Sequence, residues 1–326
     1  MLFHNSARKD TKNFSNQPIF LQNISKKVHF SEKITYFCYF LLIFFVFSKI
    51  FCTFASRMSE VSINIKGKLL SLTRPKVMAI VNATTDSFAF SCTNISEAEV
   101  LSVAAKAVAE GADIIDVGAC STRPGSEPVS EAEEWRRLSI ALKAIRGAYP
   151  NAVVSVDTFR AEIARRAVTE FGADIINDIS GGADEHMFAT IAELGVPYIL
   201  THNRESQNED IIAELIDFFV QKADELHRLG VKDVILDPGF GFSKTLEQNW
   251  HILANLKDLQ MIQLPILVGL SRKSMIYKLL ETTPQANNTL TGTIAAQTIA
   301  LQNGASILRV HDVKEAKETI KIWEQC

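Results

Sequence analysis

Polar side chains that could act on a ligand stand directly after several apolar, β-branched runs of this sequence. One run lies in DVILDPGFGFSKT (residues 233–245), where Pro238 and Gly239 end the run and leave Asp237 at its last position. A carboxylate in such a place is commonly a turn former. Whether Asp237 does chemistry therefore depends on the side chains that end the other runs.

Seven apolar runs end in polar residues, and eight such residues stand at or next to these ends. They are Asn82, Asp157, Asn177, Asp178, His202, Asp237, Ser271 and His311. One polar strand end carries little information, but eight that meet at one edge of a sheet would line a single cavity. The pattern predicts a polar binding site.

Basic residues accompany these polar ends. The segment LSRKS (270–274) includes Arg272 and Lys273 where a helix is expected to begin, and free N–H groups at a helix start attract anions. Arg309 and His311 alternate along the last run and therefore project to the same side. Because the chain carries a net charge of −3, these cations favour a local anion site over a nucleic-acid surface.

The stretch FSKT resembles the end of the phosphate-binding motif G-x-x-x-x-G-K-[ST]. In this chain Ser243 stands where the motif needs its second glycine, and Pro238 stands where it needs its first. The match therefore fails, and Lys244 has no P-loop role.

The elements that carry these residues alternate between strand and helix patterns. After a short hairpin at 62–72, the predicted strands cover residues 76–82, 113–118, 152–158, 173–178, 197–202, 233–237, 265–271 and 306–312. Their nearly continuous apolar runs are typical of a parallel sheet that is buried on both faces. Ser96, Ser130 and Thr245 are each followed three residues later by Glu or Gln, which predicts helix starts with capping boxes.

The number of strands and the chain length favour one α/β architecture. Eight strand–helix units in the 269 residues from Met58 to Cys326 predict a TIM (β/α)8 barrel. A doubly wound open sheet shares the alternation and is the structural alternative. We therefore expect residues 58–326 to form one barrel domain.

The first 57 residues have a different composition. They hold eight Lys/Arg against two Asp/Glu and 11 of the 20 phenylalanines. The run ITYFCYFLLIFFVF is apolar enough for a signal sequence or a membrane anchor. We favour a third interpretation, a mis-assigned start with Met58 as the natural first residue, because the Phe, Ile, Lys, Asn and Ser bias is typical of translated AT-rich DNA. On this interpretation residues 1–57 are an extension outside the fold.

The number and spacing of the cysteines indicate the redox state of the compartment in which the protein works. Five of them are scattered along the chain, at Cys38, Cys52, Cys92, Cys120 and Cys326, without a Cys-x-x-Cys pair. This odd, dispersed set argues against a disulfide framework or a zinc site. It favours the reducing cytoplasm, and we expect no membrane or nucleic-acid partner.

Seven stretches of the sequence carry a resemblance to a known family. They are MAIVNATTDSF, STRPG, SVDT, NDISGG, LDPGFGF, GLSRKS and RVHD. In this order, over essentially all of 62–326, they resemble the dihydropteroate synthases, a family of pterin-binding TIM barrels. That family joins (7,8-dihydropterin-6-yl)methyl diphosphate to 4-aminobenzoate, forming 7,8-dihydropteroate and diphosphate. The resemblance thus implies a transferase of folate biosynthesis, a sulfonamide target and a homodimer.

The resemblance also implies roles for individual residues. Asp157, Asn177 and Asp237 would bind the donor-rich aminopyrimidinone edge of the pterin, and Lys273 would meet its acceptors. Arg309 would lie against the pterin face and, with His311, would hold the diphosphate. Lys273, Arg309, His311, Asp157 and Asp237 form the implied catalytic set. Asn82 would hold the diphosphate through Mg²⁺, the implied cofactor.

The second substrate has its own implied residues. Those implied for 4-aminobenzoate are Thr122, Arg123 and Pro124 on a closing loop, Phe242 as an apolar wall for the ring, and Ser271 for the carboxylate. Gly269 is a further implied substrate-binding residue. Diphosphate is a good leaving group once cations disperse its charge, so its departure can precede attack by the amine. The neutral arylamine then needs orientation more than activation.

The sequence departs from the family pattern around the mobile loops. Ala83 and Thr85 replace Val and Pro of Asn-Val-Thr-Pro-Asp-Ser-Phe, and AFSC (89–92) lacks the usual aspartate. Cys120 replaces a frequent glutamate, and Asn203 replaces a methionine. These changes concern loop closure, and hence rate and sulfonamide sensitivity. Two alternatives stay open: a pterin-binding paralogue without turnover, and a methyltetrahydrofolate–corrinoid methyltransferase, which has no use for STRPG or for the Arg-x-His pair.

Overall fold

The computed structural model describes residues 61–83, 96–120, 129–206 and 210–326. These residues all belong to one compact unit, Glu60–Cys326. The predicted extension 1–57, the altered loop 89–92 and the STRPG loop 121–125 lie outside the described residues.

Every strand predicted from the sequence is present, within the predicted run. The strands are β1 (Ser62–Ile65), β2 (Lys68–Ser71), β3 (Lys76–Asn82), β4 (Ile114–Gly118), β5 (Val153–Asp157), β6 (Ile175–Asp178), β7 (Tyr198–Thr201), β8 (Val234–Asp237), β9 (Leu267–Val268) and β10 (Ile307–Val310). β1 and β2 pair as an antiparallel hairpin. The other eight form one sheet in the order β8-β7-β6-β5-β4-β3-β10-β9, in which neighbouring strands pair in parallel.

The sheet curls until its two edge strands meet. Leu236 of β8 forms a parallel bridge with Ile266, just before β9. The Leu236 N–H also donates to the carbonyl of Pro265 at 2.9 Å. This contact makes the sheet a TIM barrel, as predicted, and excludes the open doubly wound alternative.

Helices lie between the strands along the chain. They are α1 (Glu97–Ala109), α2 (Glu131–Ala148), α3 (Ala161–Phe171), α4 (Met187–Leu194), α5 (Ile211–Arg228), α6 (Leu246–Ala254), α7 (Ser274–Leu279), α8 (Asn287–Gln302) and α9 (Val313–Trp323), with a 3₁₀ helix at Leu256–Ile262. Within the described ranges, no helix has the length and apolar character needed to cross a membrane.

The predicted helix caps form in part. Thr245 and Gln248 make the full capping box before α6. Ser130 accepts a bond from the Glu133 N–H at 3.3 Å before α2. The capping box predicted at Ser96 is wrong, because its side chain makes no cap bond although α1 begins at the next residue.

Alternation along the strands separates two apolar layers. The inner layer consists of Met78, Ile114, Ile175, Ile199, Ile235, Leu267 and Ile307, together with Ile63 and Leu72 from either side of the hairpin. The intervening strand residues pack against the helices in a larger outer cluster. Because apolar side chains fill the barrel near the start of its strands, the polar inward positions lie further along, towards the strand ends.

Candidate active site

On most barrel strands, the inward-facing position that follows the inner apolar layer holds a polar residue or a glycine. Two residues beyond the inner apolar layer stand Asp116 on β4, Asn177 on β6, Thr201 on β7, Asp237 on β8, Gly269 after β9 and Arg309 on β10. Asp157 on β5 follows Val153 and Ser155 on the same face. The tertiary structure thus converts the strand ends into one cavity wall.

Arg309 is the centre of the polar layer. Its Nε donates to Asp116 Oδ2 and its Nη2 donates to Asp157 Oδ2, both at 2.7 Å. The amide Nδ2 of Asn177 also donates to Asp116 Oδ2, at 3.2 Å. Asp116 has 0% exposure, so its charge is compensated by Arg309 rather than by water. Four strands are thereby connected through one guanidinium and two carboxylates.

Asp116 is a site residue that the sequence analysis missed. It lies in the middle of IIDVG, a strand whose five residues are all buried. An aspartate within a fully buried run is costly unless a cation pairs with it. An aspartate inside an otherwise apolar run was therefore the sequence signal that could have identified Asp116.

Burial and charge shift the pKa values of the site residues. Burial raises the pKa of Asp157 to about 7, although Arg309 opposes the shift, and the carboxylate of Asp116 adds to it. Burial also raises the pKa of Asp237. Burial lowers the pKa of Lys273 to about 8, although the charge of Asp237 opposes this. Burial alone would lower the pKa of Arg309, but the carboxylates of Asp116 and Asp157 raise it above its ordinary value.

The loop after β8 brings an aromatic ring to Lys273. Asp237 Oδ1 accepts the Gly239 N–H at 2.8 Å, which holds the carboxylate at the strand end. Gly239 has a φ of +72° and approaches the carbonyl of His202 so closely that a side chain would not fit. Further along, the Lys273 ammonium lies 4.2 Å from the centroid of the Phe242 ring. A cation and an apolar wall thus stand side by side.

The segment between β9 and α7 differs from its prediction. α7 begins at Ser274, with Lys273 as its N-cap. Ser271 lies before the helix start, where its Oγ accepts the His311 N–H at 3.2 Å and lies 3.1 Å from His311 Nδ1. Arg272 donates to both carboxylate oxygens of Asp312 at 2.9 Å, so the fold itself uses this cation.

Two of the eight polar strand ends point away from the cavity. Asp178 accepts bonds from the backbone N–H groups of Ser180 and Gly182 and from the Tyr198 hydroxyl, so it shapes the NDISGG turn. The His202 ring packs edge-on against Phe218, and its Nε2 lies 3.2 Å from a Glu214 oxygen. The prediction that all eight line one cavity is therefore wrong for these two residues.

The remaining predicted residues are placed as follows. Asn82 ends β3 and pairs in register with Gly118, which in turn pairs with Asp157. Gly269 has open space where a side chain would stand, because no atom lies within 4 Å of a Cβ built there. Thr122, Arg123 and Pro124 lie outside the described residues. Among the described residues, no group of three or more His, Cys, Asp or Glu side chains could hold a metal ion.

Several buried polar atoms on the inner face lack a hydrogen-bond partner. In the described part of the chain they include Asp116 Oδ1, Ser155 Oγ, Asn177 Oδ1 and Thr201 Oγ1, from the four consecutive strands β4 to β7. A buried polar atom without a partner costs about 1–3 kcal/mol. Such a row is typical of a surface that awaits a polar ligand or ordered water. Since two of the four are carboxylate or amide oxygens, a ligand rich in N–H donors fits it best.

Comparison with known proteins gives consistent matches. The family described as pterin binding enzyme matches residues 78–311. The dihydropteroate synthase of Escherichia coli (strain K12) is 39% identical over 269 residues, which cover 79% of this chain and 94% of that protein. The dihydropteroate synthase of Streptococcus pyogenes is 38% identical over 263 residues, with 79% and 98% covered.

Solved structures agree with this similarity. Dihydropteroate synthase from Xanthomonas albilineans with 4-aminobenzoic acid superposes with a TM-score of 0.76 at 34% identity, covering 82% of this chain and 98% of that one. The same enzyme in complex with 7,8-dihydropteroate gives a TM-score of 0.73 at 34% identity, with 81% and 98% covered.

Proposed function

The chain belongs to the pterin-binding enzyme family, and we propose that it is a dihydropteroate synthase. It would join (7,8-dihydropterin-6-yl)methyl diphosphate to 4-aminobenzoate, forming 7,8-dihydropteroate and diphosphate, as a transferase of folate biosynthesis and a sulfonamide target. The observation that carries the proposal is the row of buried acceptor oxygens beside a cluster of cations in the barrel. A substrate with a donor-rich ring and an anionic tail is complementary to both parts.

The pterin end fits the acceptor row. The aminopyrimidinone edge presents several N–H donors, and Asp116 and Asn177 each hold a buried oxygen without a partner. The carboxylates of Asp157 and Asp237 belong to the same wall and accept charge-assisted hydrogen bonds. Lys273 supplies donors for the oxygen and nitrogen acceptors of the ring. Rigid strand ends therefore pre-organise the hydrogen bonds that identify the heterocycle.

The diphosphate end fits the basic side chains near β10. Arg309 and His311 project to the same side of this strand. Asn82, at the end of β3, offers an amide oxygen, which is the hard ligand type that Mg²⁺ accepts. Since Mg²⁺ often binds through one or two protein oxygens plus substrate phosphates and water, Asn82 alone fits an ion that arrives with the diphosphate. When bound, Mg²⁺ would disperse negative charge on the leaving group.

The reaction exchanges one bond at the methylene carbon. The bond from this carbon to the diphosphate oxygen breaks, and its electron pair leaves with the diphosphate. The carboxylates of Asp157 and Asp237 stabilise the positive charge that develops on the electron-rich dihydropterin. The amine nitrogen of 4-aminobenzoate forms the new bond and then loses a proton. Phe242 positions the aryl ring, and a neutral amine in this orientation needs no dedicated general base.

Other parts of the proposal concern the second substrate and the assembly. Thr122, Arg123 and Pro124 would close over 4-aminobenzoate, and Ser271 would receive its carboxylate. Exposed Leu279 and Ile299, on α7 and α8, supply apolar surface for a homodimer, which light scattering would detect. Free Cys120 and Cys326 suit the cytoplasm.

Diphosphate release tests the proposal. It should require both 4-aminobenzoate and Mg²⁺. Replacing Lys273 with alanine, or Asp237 with asparagine, removes a charged hydrogen bond of about 1.5–3 kcal/mol, so kcat/KM should fall about 10- to 150-fold while the thermal transition persists. Lys257→Met changes an exposed lysine of the 3₁₀ helix and should leave kcat/KM unchanged.

The outcomes separate the candidate functions. Unchanged kcat/KM in both the Lys273 and Asp237 variants would refute the site assignment. Tight pterin binding without diphosphate release would instead identify a binding paralogue. Methyl transfer from methyltetrahydrofolate to a corrinoid would identify the third candidate.

A further inference from the structure

Lys244 ties two loops together at the mouth of the barrel. Its ammonium donates to the carbonyls of His202 at 2.8 Å, Gly239 at 3.2 Å and Phe242 at 3.3 Å. Among the described residues, no carboxylate forms an ion pair with it. The three donors of the ammonium thus find three backbone acceptors, one after β7 and two within the loop after β8.

Holding a cation at this position is unfavourable by itself. Burial lowers the pKa of Lys244 to about 8, even though the charges of Asp237 and Glu214 favour the protonated form. A desolvated ammonium is tolerated when hydrogen bonds compensate it. The arrangement therefore points to a requirement for this donor set, beyond what a surface lysine provides.

The loop after β8 needs hydrogen bonds that hold its conformation, because two of its residues are glycines with positive φ. Gly239 and Gly241 have φ values of +72° and +77°, a conformation that other residues rarely adopt. The Asn249 side chain holds one side of the loop by accepting the Gly241 N–H at 2.7 Å and donating to Thr245 O at 2.6 Å. Lys244 bonds the carbonyls of Gly239 and Phe242 in the same loop. Phe242 therefore lies in a segment that both side chains hold.

From this geometry we propose that Lys244 is a positioning residue for the aminobenzoate side of the site. It would act through Phe242, whose ring it holds against Lys273 by bonding the Phe242 carbonyl. Asp237, which belongs to the pterin side, depends less on Lys244 because its carboxylate is held directly by the Gly239 N–H. The inference rests on the proposed function, since it assigns Phe242 to the aryl ring.

Steady-state kinetics of Lys244→Met tests the proposal. Methionine keeps much of the side-chain length and removes the donors. We expect KM for 4-aminobenzoate to rise tenfold or more, while KM for the pterin diphosphate changes less than threefold. Lys257→Met is the matched control, because it removes an exposed ammonium from the 3₁₀ helix that follows α6. Its two KM values should stay within twofold of the wild type.

A double-mutant cycle with Phe242→Ala tests whether Lys244 acts through Phe242. If it does, the effects on KM for 4-aminobenzoate are not additive, because the second change removes a ring that is already displaced. Additive effects would overturn the proposal, and so would equal changes in both KM values. Should methionine at 244 prevent folding, Lys244→Arg decides the matter, since it should raise the same KM by a smaller factor and leave the other unchanged.

The proposed function fails separately from this inference. If the wild-type protein releases no diphosphate, the synthase assignment is wrong before any variant is made. If the wild type is active and Lys244→Met shows no preference between the substrates, only the positioning role is overturned.

Discussion

Replacing Asp116 with asparagine isolates the contribution of the buried carboxylate that holds Arg309. The change keeps the size of the side chain and removes its charge. In the wild type, Asp116 Oδ2 lies 2.7 Å from Arg309 Nε and 3.2 Å from Asn177 Nδ2. The amide oxygen of the variant can still accept hydrogen bonds from both groups. The amide nitrogen would then occupy the place of Oδ1, which is buried without a partner in the ligand-free protein. The variant thus weakens the hydrogen bond to Arg309 and also changes the group that faces the cavity.

The two effects differ in size. A hydrogen bond to a charged group contributes about 1.5–3 kcal/mol and a neutral one about 0.5–1.5 kcal/mol, so loss of the charge costs about 1–1.5 kcal/mol. This corresponds to a fall of about five- to thirteenfold in kcat/KM. If Oδ1 also accepts a pterin N–H, the substituted amide opposes a donor with a donor and costs about 1–3 kcal/mol more. The total would then be about 30-fold or greater.

The assay compares Asp116→Asn with Asp113→Asn, which changes the residue just before β4. Asp113 also pairs with a cation, since its Oδ2 accepts from Lys317 Nζ at 2.5 Å and from the Val77 N–H at 2.8 Å, but it lies at the opposite end of the barrel. Both variants should lower the thermal midpoint. Only Asp116→Asn should lower kcat/KM for the pterin diphosphate and weaken its binding in calorimetry.

Equal kcat/KM values for the two variants would refute this reasoning. So would wild-type activity in Asp116→Asn, because the buried carboxylate would then serve stability alone. A fall of about tenfold would assign the effect to Arg309, and a fall of a hundredfold would add direct contact with the pterin.

Two further predictions concern pH and stability. Because the pKa of Asp157 is raised to about 7, kcat/KM should fall as the pH drops below about 7 and this acceptor carboxylate is protonated. Because the pKa of Lys273 is lowered to about 8, kcat/KM should also fall above about pH 8, where the ammonium loses its proton. A flat profile between pH 5.5 and 9 would contradict this prediction. Glu134→Gln should lower the free energy of unfolding by about 2–4 kcal/mol in urea, because the fully buried Glu134 pairs with Arg160. The pairs of neighbouring Glu133 with Arg136 and Arg137 are partly exposed, so Glu133→Gln should cost less than about 1 kcal/mol. Similar losses in both variants would count against the buried pair.

The barrel was readable from the sequence because its signals are local. Each observed barrel strand lies within a run of apolar residues that was predicted from composition and turn residues. Thr245 and Gln248 formed their capping box because both partners lie within one helical turn. Ser96 makes no cap bond although Glu99 stands at the same spacing. The spacing therefore permits a capping box but does not ensure that it forms.

The candidate site was predictable in outline. Asp157, Asn177, Asp237 and Arg309 stood at strand ends and do face one cavity wall. Asp178 also stood at a strand end, but it shares a face with residues that pack outward, and its carboxylate stabilises a turn. The sequence shows that a residue ends a strand, while the side of the sheet it faces depends on the register in which the strands pair.

What the sequence alone determined about this protein is the succession of strands and helices and the residue types at their ends, because both follow from interactions between near neighbours. Only the tertiary structure decided the partners. Arg309 meets Asp116 and Asp157 across 193 and 152 residues, and Lys244 reaches the carbonyl of His202, 42 residues away. The backbone carbonyls that Lys244 bonds carry no side-chain signal at all. Pairings of this kind exist only once closure of the barrel brings distant strand ends within hydrogen-bonding distance.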